Sequence, residues 1–163
     1  MIFLSKHLNS KNSAKAIYGI ILIQALLISL DQKHADPFTV AIKTFVGALI
    51  IVFAEIYSEY LGGIIQKKGF LNKIERDEIK EESFIVSAVS ITPTILFLIS
   101  GFGLLNTAIA FKIAYLLGLI ELTTFGYIAS ESAGHSFLKN IKVGLITGAV
   151  GFAIIAIKYY FNH

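Results

Sequence analysis

The chain has 163 residues, of which 55% are hydrophobic and only 15% charged, against about 25% charged in a soluble domain. That balance excludes a disordered chain and argues against a soluble single-core domain. With no cysteine, disulfides, thiolate metal sites and cysteine nucleophiles are excluded as well.

The N-terminal arm, residues 1–15, carries Lys6, Lys11 and Lys15 and precedes an uncharged run over 16–30. No small-x-small cleavage site follows, so the run is expected to stay as a first span, extended by snorkelling lysine. A turn over 31–37 leads to a second span near 38–62, which contains Lys43, Glu55 and Glu59. Next comes a stretch, 67–82, holding five of the 14 basic and five of the 11 acidic residues, and it reads as a short charged surface helix. Residues 83–130 carry only two charges, Lys112 and Glu121. As one helix they would extend roughly 72 Å, more than twice the ~30 Å hydrocarbon thickness, so they must fold back. Gly101-Phe102-Gly103 followed by Asn106 is the natural turn, giving spans near 84–101 and 106–129. A polar loop then precedes a fifth span near 141–160. The expected fold is an all-α polytopic membrane protein, one transmembrane helical domain over 1–163.

The distribution of basic residues orients these spans. With the N-terminus inside, the inner segments hold Lys6, Lys11, Lys15, the five basic residues of the charged stretch, Lys139 and Lys142, which is ten of 14. Only Lys33 and Lys158 fall outside, while Lys43 and Lys112 lie within spans. The bias predicts N-inside, C-outside. Tyr57 and Tyr60, and Tyr159 and Tyr160, fall where interfacial anchors belong. The net charge of +3 follows from this asymmetry and needs no nucleic-acid partner.

Ionisable groups inside spans are costly and are the first functional candidates. Glu55 and Glu59 are one turn apart on one helical face, and Glu121 is expected at a similar depth in the inner half. Three converging carboxylates could coordinate a divalent cation or relay protons, and the alternative is that they are neutral or hydrogen-bonded packing groups. Lys43 and Lys112 read as snorkelling side chains. Ser87, Ser90 and Thr94 beside Pro93 are either a polar stripe along a path or hydroxyls that bond backbone groups freed by the proline. Gly144 and Gly148, with Gly151 a turn on, form a close-packing face within the chain or across a dimer. His135 near Glu131 is a candidate pH-responsive pair. No phosphate-binding glycine loop, nucleophile elbow or His-Glu-x-x-His motif occurs, so no enzyme is expected.

The Ser58-Glu59-Tyr60-Leu61 segment closing the second span is similar to the Gly-Glu-Tyr-Leu segment of the vacuolar iron transporter family. The last two spans, joined through Ser136-Phe137-Leu138-Lys139, also resemble that family. The resemblance implies a homodimeric divalent-cation/proton exchanger in which Glu59 falls on a metal-holding position and Glu55 lies one turn away. Ala16-Ile17-Tyr18-Gly19 resembles the opening of small bacterial membrane proteins and implies no activity. The expected function is therefore transport of a cation or protons past Glu55, Glu59 and Glu121, with no resident cofactor and a divalent cation as one candidate substrate. The expected setting is a homodimer or higher symmetric oligomer in a bacterial or archaeal cytoplasmic membrane. The competing expectation is a non-transporting anchor or sensor that binds a cytosolic protein partner through its charged inner loop.

Overall fold

The computed structural model describes residues 10–30 and 35–161, except for the side chains of residues 10, 11, 158, 159 and 161. The expectations for Lys6, for the turn at Asp31 and Lys33, and for the side chains of Lys11, Lys158 and Tyr159 lie outside the described residues. The described chain is all-helical, with α1 (Ser10–Ser29), α2 (Pro37–Lys67), α3 (Lys73–Ala88), α4 (Ile91–Gly101), α5 (Thr107–Ser132) and α6 (Phe137–Phe161). Five stretches are long and apolar enough to cross a membrane: Asn12–Ser29, Pro37–Lys67, Lys73–Gly101, Thr107–Ser132 and Phe137–Ile157. Their outward faces are apolar, as at Ile50, Phe53, Leu116, Ile146 and Phe152. Such a surface suits lipid, where a soluble domain would place charge.

Helix ends follow local chemistry. The Asp36 carboxylate accepts from the Thr39 N–H at 2.7 Å and Pro37 takes the first turn, so α2 starts where its orphan donors are met. Lys68 then turns left-handed at φ 53° and its N–H bonds back to the Ile64 carbonyl, ending the helix five residues beyond the expected boundary at 62. The α4–α5 turn falls at the expected glycines, with Gly103 at φ 76° and Asn106 capping α5 through the Ala108 N–H.

The charged stretch departs from expectation. Asn72 and Glu75 form a reciprocal capping box that starts α3 at Lys73, and the helix then runs without interruption to Ala88. The charged residues are thus the first turns of the third spanning stretch and not a separate surface helix. Nothing between Arg76 and Ala88 breaks the helix, so the boundary expected at 84 marks only a change of polarity. The real interruption is a tight turn at Val89 and Ser90. Pro93 has no N–H to give the Val89 carbonyl four residues earlier, and the Ser90 N–H bonds instead to the Ser87 carbonyl. Ser87 Oγ donates to the Phe84 carbonyl, Ser90 Oγ to that of Ser87 and Thr94 Oγ1 to that of Ser90. These hydroxyls bond backbone carbonyls one turn back, none of them the Val89 carbonyl that the proline frees.

Successive spans pack antiparallel around α1. Lys15 of α1 meets Glu55 of α2, while Leu26 meets Gly47. Leu27 meets Tyr115 of α5 and Gln24 meets Gly118, so residue numbers run in opposite senses along both pairs. Since lipid gives no hydrophobic drive for one helix to seek another, close backbone approach has to supply the contact. Between α5 and α6 it does so through glycine. A Cβ at Gly144 would lie 2.7 Å from the Thr123 carbonyl oxygen, and Cβ atoms at Gly148 and Gly151 would run into Thr123 and Leu122. The expected glycine face is thus used within the chain.

Candidate functional site

Two polar clusters lie on the inner surfaces of the bundle. The first centres on Lys15, one turn into α1. Its ammonium is 3.3 Å from Glu55 and 2.6 Å from Glu59 on α2, and 3.0 Å from Glu82 on α3. The four-residue spacing of Glu55 and Glu59 sets both on the α2 face turned to α1, as expected. The side chains of Lys15 and Glu55 are 11% exposed, Glu82 17% and Glu59 33%. Glu55 Oε2 has no hydrogen-bond partner among the described residues, so this carboxylate is held by charge more than by directional bonds. Among the described residues, the Lys15 ammonium touches three carboxylates in a mostly dehydrated space.

Beside this cluster a cleft of ≈ 270 Å³ opens between the end of α2 and the start of α3. Gln66, Lys67, Glu75, Glu78 and Glu82 line it. The Lys67 ammonium pairs with Glu75 across the α2–α3 turn. Glu82 belongs both to the cleft and to the Lys15 cluster, so it joins the outer polar surface to the buried network.

The second cluster surrounds Glu121 on α5. It lines a cavity of ≈ 10 Å³ together with Gln24, Thr92, Pro93, Val89 and Gly118. Thr92 lines the cavity beside the Glu121 carboxylate. Gln24, 4% exposed, donates its Nε2 to the Ala114 carbonyl at 3.0 Å, and its Oε1 has no partner among the described residues. The amide lies in the notch left by Gly118, where a Cβ would run into it.

The expected trio is therefore divided. Glu55 and Glu59 come together around Lys15, whereas Glu121 lies opposite residues 20–24 of α1, roughly one to two turns deeper, or ~8–13 Å. Counting back from the expected ends of the second and fourth spans placed the two at one depth. Counting from the true ends, Lys67 and Ser132, still gives nearly equal numbers, so the separation is set by how the helices pack against α1 and not by where they end. Among the described residues no group of three or more His, Cys, Asp or Glu side chains could hold a metal ion. In the first cluster the position of a coordinated cation is filled by Lys15 itself. Lys43 and Lys112 are exposed on outward helix faces, as snorkelling requires. His135 bonds through Nδ1 to Ser130 Oγ at 3.2 Å, and Ser130 Oγ also donates to Asn140 Oδ1 at 2.7 Å. Those bonds close the α5–α6 turn, so the expected His135–Glu131 pair is replaced by a His135–Ser130 contact.

Sequence reasoning missed three participants. Lys15 read as the end of a basic arm, Glu82 as part of a solvated stretch and Gln24 as one uncharged residue in an apolar run. The signal that could have found Lys15 and Glu82 was their place beside apolar helix, where charge needs a partner. No protein family, curated protein or solved structure matches this chain.

Proposed function

We propose that this chain is a small integral membrane transport protein that moves protons or a cation by way of its intramembrane carboxylates. The observation that carries this reading is the imbalance at Lys15, where, among the described residues, Glu55 and Glu59 share one ammonium at 11–33% side-chain exposure. Ionised carboxylates in excess of their counter-ions are unfavourable in a dry, low-dielectric interior, so the cluster gains by taking up a proton or a cation. Lys15 then acts as a tethered counter-ion that an incoming charge displaces or repels. The cleft at Glu75, Glu78 and Glu82 supplies an entry, and an inner location for it agrees with the bias of basic residues. Beyond the cluster, Glu121 offers the next ionisable group along the bundle.

Purified protein in liposomes, loaded with a pH-sensitive dye and subjected to cation gradients, tests the reading. Wild type should carry flux that a Glu55→Gln, Glu121→Gln double variant lacks. Equal flux in wild type, the double variant and empty liposomes would refute it.

A further inference from the structure

We propose that the Glu121 cavity is a binding site for a single dehydrated monovalent cation, held by Glu121, Gln24 Oε1 and Thr92 beside the broken backbone at Val89. The inference rests on the transport reading for its meaning, since it names the charge carried and where it pauses.

The argument is an inventory of donors and acceptors. Gln24 spends its Nε2 on the Ala114 carbonyl and presents a buried, unpartnered Oε1. Thr92 and Val89 also line the cavity, and the Val89 carbonyl has lost its α-helical donor because residue 93 is proline. The Gln24 Oε1 and the Glu121 carboxylate present oxygen ligands of the kind that hard cations take.

Charge and size agree. Glu121 is the one ionisable residue lining the cavity, so a single positive charge neutralises it in a setting where an isolated carboxylate is costly. A volume of ≈ 10 Å³ admits about one water-sized body and excludes a hydrated ion. Interrupted membrane helices place carbonyls beside monovalent ions in just such a manner, and the α3–α4 break lies at this cavity. Gly118 is the residue that admits the Gln24 amide to the site.

The test is thermal unfolding of the full chain in detergent at matched ionic strength in NaCl, KCl or choline chloride. Wild type should show an unfolding temperature that rises and saturates with Na⁺ and does not respond to choline. Glu121→Gln should abolish the rise. Gln24→Met, close in shape but without Oε1, should weaken the midpoint on the order of tenfold, and it serves as the reading should Glu121→Gln fail to fold. Glu131→Gln, on the exposed α5 end, should leave the rise unchanged. Identical curves in NaCl and choline chloride, a Na⁺ response that survives in Glu121→Gln, or an unchanged midpoint in Gln24→Met, would overturn the inference. Flux in liposomes without a cation response in detergent overturns the site and leaves transport standing. A cation response without flux does the reverse.

Discussion

Replacing Lys15 by methionine removes the cation that, among the described residues, holds the first cluster together, and keeps an apolar stem of similar length. At an effective dielectric constant of ~20, each of its contacts, at 3.3, 2.6 and 3.0 Å, carries roughly 5–6 kcal/mol of Coulomb attraction. Dehydration of four ions and repulsion among the three carboxylates offset most of this. What remains on breaking a buried pair is about 3–5 kcal/mol, and the partial exposure of Glu59 argues for the lower end. A loss of ~3 kcal/mol corresponds to a fall in unfolding temperature on the order of 10 °C for a chain of this size. The assay is thermal unfolding in detergent at neutral pH, followed by helical circular dichroism. Lys15→Arg should retain most of the stability. Adding Glu55→Gln and Glu82→Gln to Lys15→Met should restore much of it, because the carboxylates left behind are what make the single change costly. An unfolding temperature for Lys15→Met within a degree of wild type, or no recovery in the triple variant, would refute the account of the cluster as charge-coupled.

Gly144→Ala should destabilise by about 1–3 kcal/mol, since its Cβ would lie 2.7 Å from a carbonyl oxygen that cannot swing away. Gly62→Ala, with nothing within 4 Å, should be neutral or stabilising by up to ~1 kcal/mol through helix propensity, and the pair is compared by denaturant titration. The Asp36 carboxyl is held below its ordinary value of 3.8 by its bonds to Thr39. Its folded pKa is depressed, so its capping contribution is present above that value and is lost as pH falls through the folded pKa. Amide protection at Phe38 and Thr39, taken relative to the intrinsic exchange rate at each pH, should therefore fall in acid in wild type, whereas Asp36→Asn should show no such dependence. Because the chain has no cysteine, single Asp77→Cys and Gly103→Cys variants can be labelled directly with a membrane-impermeant thiol reagent. In intact cells Gly103→Cys should label and Asp77→Cys should not, and the opposite pattern would reverse the orientation.

The sequence by itself determined what depends on one helix at a time. Apolar run length dictated five membrane-length helices, and the turn ending at Pro37, Gly103 and Asn106 announced their ends, because capping and turn chemistry are local. The spacing of Glu55 and Glu59 placed them on one face for the same reason. Helix overrun was not legible. Polarity changes near 62 and 84, yet backbone hydrogen bonding continues past the first and begins before the second, and no residue there forces a stop. The tertiary structure alone decided which faces meet. It brought Lys15 of α1 and Glu82 of α3 to the Glu55–Glu59 face, set Glu121 apart beside Gln24, and committed the α6 glycines to α5. Membrane-buried helices are apolar around most of their circumference, so their periodicity carries little record of the neighbour, and only the packed bundle shows which charge is compensated and which is left over.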